Sequence, residues 1–206
     1  MDKKQNALIA LLVFSTERII VYIINVNRVY FSQSIRLLFF NILTIIFLWV
    51  LPLFIVYRFE HRDLESLGLQ VPKSKHILYL SFGVLGILVP SFFLGFQNLF
   101  VDLFEQILFI GLAEEVFYRG YLMTRLCEWK GEKLGLFLNS IIFSLAHITF
   151  IISNEGVRHP MFIATTALQT FFGGVILGYI FLREGNIVPG VIVHMSTNLY
   201  LQRIFS

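Results

Sequence analysis

The chain has 206 residues, 57% hydrophobic and 14% charged, with a mean hydropathy of +0.78 and a net charge of +3 at pH 7. A water-soluble domain carries about 25% charged residues, so these proportions exclude a surface that faces water and make lipid the solvent. Without a basic patch interleaved with stacking aromatics the small positive charge does not point to nucleic acid, and the single Cys127 excludes an internal disulfide or a cysteine-based zinc cluster.

In chain order, the first apolar run, about 7–26, follows Lys3 and Lys4 and carries Glu17 and Arg18 at its middle. It has no small-residue cleavage site and further apolar runs follow it, so it reads as an uncleaved anchor. Residues 37–57, 77–101, 134–154, 160–182 and 185–202 contain no Asp, Glu, Lys or Arg. Each reaches the ~18 residues a helical span needs. A further segment, about 103–126, is apolar apart from Glu105, Glu114, Glu115, Arg119 and Arg125. Seven spans, or six if 7–26 does not cross, predict an all-α polytopic transmembrane helical bundle. The runs do not alternate as the strands of a membrane barrel would. The polar stretch 58–76 reads as a surface-lying cytoplasmic segment. Gly174 and Gly178 form a small-xxx-small pair that lets helices approach closely. No repeat, linker or low-complexity stretch divides residues 1–206, which read as a single integral membrane domain.

With seven spans, alternate sides hold Lys3, Lys4, Arg58, Arg62, Lys73, Lys75, Arg125, Lys130, Lys133 and Arg183 against Arg28, Arg36, Arg158 and Arg203. The excess of basic residues belongs in the cytoplasm, and the N-terminus with it. Short loops and a compact chain favour a bacterial inner membrane over the endoplasmic reticulum.

The stretch Gly111 to Gly120, Gly-Leu-Ala-Glu-Glu-Val-Phe-Tyr-Arg-Gly, holds charges where lipid should forbid them. An Asp, Lys or Arg at the centre of a membrane helix costs about 2.5–3.5 kcal/mol. Glu115 and Arg119 are four apart, in the order that favours pairing on one helix face. Glu114 is left over, about 100° around the helix. A carboxyl left unpaired in an apolar site is a candidate general base; the plainer reading is a structural ion pair, with Glu114 bonded to a neighbouring helix. His147, in the fifth span, and His194 with Asn198, four apart in the seventh, add polar groups on two more helices. Helix rise puts Glu114 and His147 about 18 and 20 Å from the cytoplasmic ends of their spans, and His194 and Asn198 about 10 and 16 Å. These depths are compatible with one polar, cytoplasm-facing cavity.

A carboxylate beside an imidazole can deprotonate a water, and a second imidazole with a carboxamide can stabilise the oxyanion of a tetrahedral intermediate. That describes amide hydrolysis without a covalent nucleophile. An aspartyl dyad has no candidates, because Asp2, Asp63 and Asp102 lie in loops or at segment ends. His-Glu-x-x-His and Gly-x-Ser-x-Gly motifs are missing, and Ser144 and Ser196 read as helix-packing residues. Glu114, His147 and His194 could instead hold a zinc ion with an open fourth position.

The ordered motifs Glu-Glu-x-x-x-Arg (Glu114, Glu115, Arg119), Phe-x-x-x-His (Phe143, His147) and His-x-x-x-Asn (His194, Asn198) resemble the CPBP intramembrane protease family. That family includes CAAX prenyl endopeptidases and bacterial proteins linked to bacteriocin processing or self-immunity. The resemblance covers about residues 60–200, the expected catalytic core, and Asp63-Leu-Glu-Ser-Leu-Gly-Leu69 looks like an element the family carries there. It implies Glu114 as the water-activating base, His147 as its helper, His194 and Asn198 at the oxyanion, and Glu115 with Arg119 as structural support. No cofactor is implied by the glutamate mechanism; zinc is the alternative. The implied substrate is a membrane-associated protein or peptide, lipidated or not, and the implied fold is a bundle around a conical cavity open to lipid on one side. A non-catalytic immunity or scaffold protein of the same family is the second reading. A proton-coupled transporter is the third, and the missing two-fold repeat counts against it.

Overall fold

The computed structural model describes residues 2–27, 30, 32–71, 76–94, 103–104, 109–155 and 160–205. Its helices are α1 (Lys3–Val26), α2 (Gln33–Leu43), α3 (Leu51–Arg58), α4 (Ile77–Leu94), α5 (Gly111–Glu114), α6 (Thr124–Lys130), α7 (Glu132–Glu155), α8 (Pro160–Glu184) and α9 (Ile187–Phe205). A π-helix, Thr44–Val50, joins α2 to α3, and a second, Glu115–Met123, joins α5 to α6. There is no strand among the described residues.

Four of these rods, Lys3–Val26, Ser34–Arg58, Glu132–Ser153 and Pro160–Glu184, are long and apolar enough to cross a membrane, with a shorter apolar stretch at Ile77–Gly86. Large apolar side chains point outward, among them Leu12, Leu38, Phe92 and Leu168. Water would make such a surface costly; lipid does not. The chain is a multi-pass membrane protein. Residues 95–102 and 105–108, expected in the third and fourth spans or their junction, lie outside the described residues. So do Arg28, Lys73, Lys75 and Arg158 of the charge count.

The run 7–26 forms a continuous helix despite its charges. Asp2 accepts from the Gln5 backbone N–H at 2.7 Å while the Gln5 side chain accepts from the Asp2 N–H at 3.1 Å. This reciprocal cap fixes the start of α1. Ala10, Val13, Glu17, Val21 and Asn25 are buried, at the three- and four-residue spacing of one helix face. Asn25 Nδ2 donates to Ser153 Oγ of α7 at 2.8 Å. Further on, the π-turns end at Val50, and Pro52 in the first turn of α3 crowds the turn before it and supplies no N–H.

Small residues bring α7 and α8 together. A Cβ on Gly174 would sit 3.1 Å from Ser140 Cα, and Ser144 Oγ donates across to the Ala167 carbonyl at 2.8 Å. Ser196 Oγ donates to the Ile192 carbonyl at 2.6 Å and to the Gly83 carbonyl of α4 at 3.3 Å. Both serines serve packing.

The segment 58–76 does not simply lie on the surface. Its 3-10 turn Leu64–Leu67 buries Leu67 completely, with the Leu67 carbonyl pressed on Gly120 where no Cβ would fit. The Gly68 carbonyl accepts from the Ile187 N–H at 3.1 Å, and the Gln70 carbonyl from Asn186 Nδ2 at 3.0 Å. Glu60 has a fully buried side chain, because the buried Arg125 bonds it. One apolar side chain, three carbonyls and an ion pair thus wedge this segment between the second π-helix and the start of α9.

Removing Glu60 strands a buried cation. Glu60→Ala should destabilise the protein by about 3–5 kcal/mol, read as a fall in Tm in detergent. Substitution of the exposed Glu65 should stay within about 0.5 kcal/mol. Equal melting of the two variants would contradict the pairing.

Candidate active site

The rod from α5 through the π-helix to α6 is the core of the bundle. All nine residues from Glu115 to Met123 are buried, the pattern of a helix enclosed on every side. The described rod begins at Gly111, so Glu114 sits in its first turn, whereas a span over 103–126 places it near the middle. Unsatisfied N–H groups and the positive end of the helix dipole there favour a carboxylate.

Glu115 and Arg119 are both completely buried, with Arg119 Nη1 3.1 Å from Glu115 Oε1. The contact is out of line for a hydrogen bond, so charge holds it rather than direction. The Arg119 guanidinium lies 4.2 Å over the Phe143 ring of α7, a cation–π contact that compensates part of its lost hydration. Glu115 Oε1 also takes the Nδ1 of His194 on α9 at 2.9 Å. Its other oxygen lies against Gly190, where an added Cβ would come within 2.8 Å of Oε2. Two helices are therefore locked on one carboxylate.

His194 reaches the second carboxylate as well, with Nε2 3.8 Å from Glu114 Oε2. His147 is anchored at one nitrogen, its Nδ1 2.9 Å from the Phe143 carbonyl. The natural tautomer donates from Nδ1 and leaves Nε2 as an acceptor. Phe143 packs edge-on against His147 at 4.6 Å, His194 at 5.9 Å and Tyr118 at 5.0 Å between ring centres. The Phe of Phe-x-x-x-His is thus the wall on which both imidazoles and Arg119 rest.

Glu114 and His147 line a cavity of about 370 Å³, together with Glu17, Arg18, Tyr118, Phe40, Asn41 and Phe150. Glu114 Oε2 has no hydrogen-bond partner in the protein. Of the four polar residues expected on one wall, Glu114 and His147 line this cavity. His194 is buried behind Glu114, because Glu115 holds its ring, and Asn198 is half-buried one turn further along α9; neither is in the cavity wall. Beyond Glu114 the lining takes residues of α1, α2 and the first π-helix, among them Val21, Leu37 and Leu48.

Glu17, Arg18 and Tyr118 were not among the candidates. The rule that singled out Glu114, a charge inside an apolar run, applies equally to Glu17 and Arg18. Among the described residues no three His, Cys, Asp or Glu side chains are grouped to hold a metal ion. His194 turns Nδ1 to Glu115 and leaves Nε2 on the side of Glu114.

Against protein-family models, residues 96–200, just over half of the 206-residue chain, match the family described as Type II CAAX prenyl endopeptidase Rce1-like. The chain belongs to that family. All seven residues of the three motifs fall inside the matched span, and the family is one of endopeptidases. The N-terminal rods carrying Glu17 and Arg18 fall outside it. Comparison with curated proteins and with solved structures gave no match.

The packing at Gly190 yields a test. In Gly190→Ala the new methyl meets a carboxylate that Arg119 and His194 keep from swinging away, at a cost of about 1–3 kcal/mol. Gly173→Ala, with nothing within 4 Å of its Cβ, should be neutral or stabilising by up to about 1 kcal/mol. Melting curves of the two variants check this, and a Gly190→Ala protein as stable as the parent would refute the contact.

Proposed function

We propose that this Rce1-like protein hydrolyses a peptide bond of a membrane-associated protein or peptide within the bilayer, using Glu114 to activate water. The observation that carries this reading is Glu114 on the wall of a cavity it shares with His147, its Oε2 buried without a hydrogen bond and 3.8 Å from His194 Nε2. Glu115 Oε2 is buried and unbonded too, but it lies against Gly190 and away from the cavity, so of the two carboxylates only Glu114 meets whatever enters.

In this mechanism Glu114 accepts a proton from the attacking water while Nε2 of His147 accepts its other hydrogen and orients it. The water oxygen bonds to the substrate carbonyl carbon, and the carbonyl oxygen becomes an oxyanion. His194, as an imidazolium whose Nδ1–H stays on Glu115, donates from Nε2 to that oxyanion together with the Asn198 amide after local movement, since both stand outside the cavity wall. The proton on Glu114 then passes to the leaving nitrogen as the carbon–nitrogen bond breaks. Glu115 and Arg119 hold His194 at the level of Glu114. The protein's own groups account for every proton in this scheme, and no cofactor is proposed. The distribution of Lys and Arg supports an N-terminus in the cytoplasm, and the short loops favour a bacterial inner membrane.

Glu114→Ala and His147→Ala should each lower cleavage at least 100-fold, on the order of the usual contribution of a positioned acid–base group, while the proteins still accumulate in the membrane. Comparative proteomics of membrane peptides from cells with parent or Glu114→Ala protein identifies the substrate. Undiminished cleavage by Glu114→Ala sinks the assignment. A chelator should leave activity intact; loss restored only by zinc would replace this mechanism with a metal-dependent one.

A further inference from the structure

The cavity carries a charged pair that the mechanism above does not use. Glu17 and Arg18 are adjacent on α1, near mid-length of a membrane helix, and both line the cavity with Glu114, Tyr118 and His147. Arg18 donates from Nε and Nη2 to the two Glu17 oxygens, and from Nη1 to the Ala146 carbonyl of α7 at 3.2 Å. A guanidinium has five N–H donors, so two remain. The Arg18 side chain is 19% exposed and that of Glu17 only 4%. The fork is therefore fixed from behind and open on the cavity side.

We propose that Arg18 is a substrate-binding residue whose two remaining N–H donors hold a main-chain carbonyl of the peptide beside Glu114 and His147. This rests on the endopeptidase reading and adds a contact from outside the region that the family description covers. A purely structural clip between α1 and α7 explains less. The Ala146 carbonyl already accepts from Thr149 Oγ1 at 3.0 Å, and an apolar side chain would join the helices without burying charge. A carboxylate ligand fits worse than a carbonyl, because Glu17 already balances Arg18 and Glu114 adds negative charge to the same wall. A neutral acceptor takes the spare donors without that repulsion.

The test uses the full-length protein in lipid nanodiscs with a dye-quenched farnesylated CAAX peptide as probe. Arg18→Gln should raise KM about ten-fold or more and change kcat far less. Arg18→Lys, which keeps the charge but loses the fork, should show a smaller rise. In a Glu114→Gln background, where the peptide stays uncut, Arg18→Gln should weaken binding measured by anisotropy by the same factor. Unchanged KM and affinity overturn the proposal, as does a fall in kcat and Tm alone, which assigns Arg18 to the scaffold. If Arg18→Gln fails to accumulate, unchanged affinity in Arg18→Lys overturns it equally. A parent protein that binds the peptide without cutting it sinks the endopeptidase reading, while the affinity comparison still decides on Arg18.

Discussion

Burying a carboxylate inside a lipid-embedded bundle is tolerable only if cations or donors meet it there, and Glu115 is met from two sides. Arg119 approaches from its own rod and His194 from α9, both within 3.1 Å of one oxygen. With the side chains of Glu115 and Arg119 completely buried, the interaction is barely screened, and losing either partner would leave an uncompensated ion. Much of the surrounding packing follows from it. Gly190 is bare because the Glu115 carboxylate fills the place of a side chain. Phe143 presents its face to the Arg119 guanidinium and makes T-shaped contacts with both imidazoles.

That constraint sets the stage for Glu114, its neighbour in sequence. With Glu115 turned to α9, Glu114 projects to the cavity between α1, α2 and α7. One carboxylate holds the helices together, and the next is exposed to whatever enters. The 3-10 turn Leu64–Leu67 backs the same rod at Gly120, so segments on either side of the core rod in sequence brace it.

Much of this was legible in the residues. Charge-free runs gave the rods, because lipid tolerates few ions, and the four-residue spacing of Glu115 and Arg119 gave their pairing. The order of the motifs gave the family. Other features were not legible. The nine-residue π-helix that carries Glu115 changes how side chains succeed one another around the rod, and nothing in the sequence Glu115 to Met123 announces it. The residue types and the family resemblance point to His194 at the oxyanion, but the bond of its Nδ1 to Glu115 is a choice made by helix packing. The polar stretch 58–76 looked solvated because its charges were counted without partners, and Arg125 is the buried partner of Glu60. Glu17 and Arg18 were visible as a misfit in the first span, and their place on the cavity wall depends on how α1 docks on α7.

The central claim is that Glu115 and His194 are directly coupled across the bundle, and a double-mutant cycle measures that coupling. Stability of the parent, Glu115→Gln, His194→Gln and the double variant, measured by reversible unfolding in bicelles, should give a pairwise energy of about 1–3 kcal/mol. Single-variant effects that simply add to within about 0.5 kcal/mol would mean that the two side chains do not meet, and the site built on their contact would not stand.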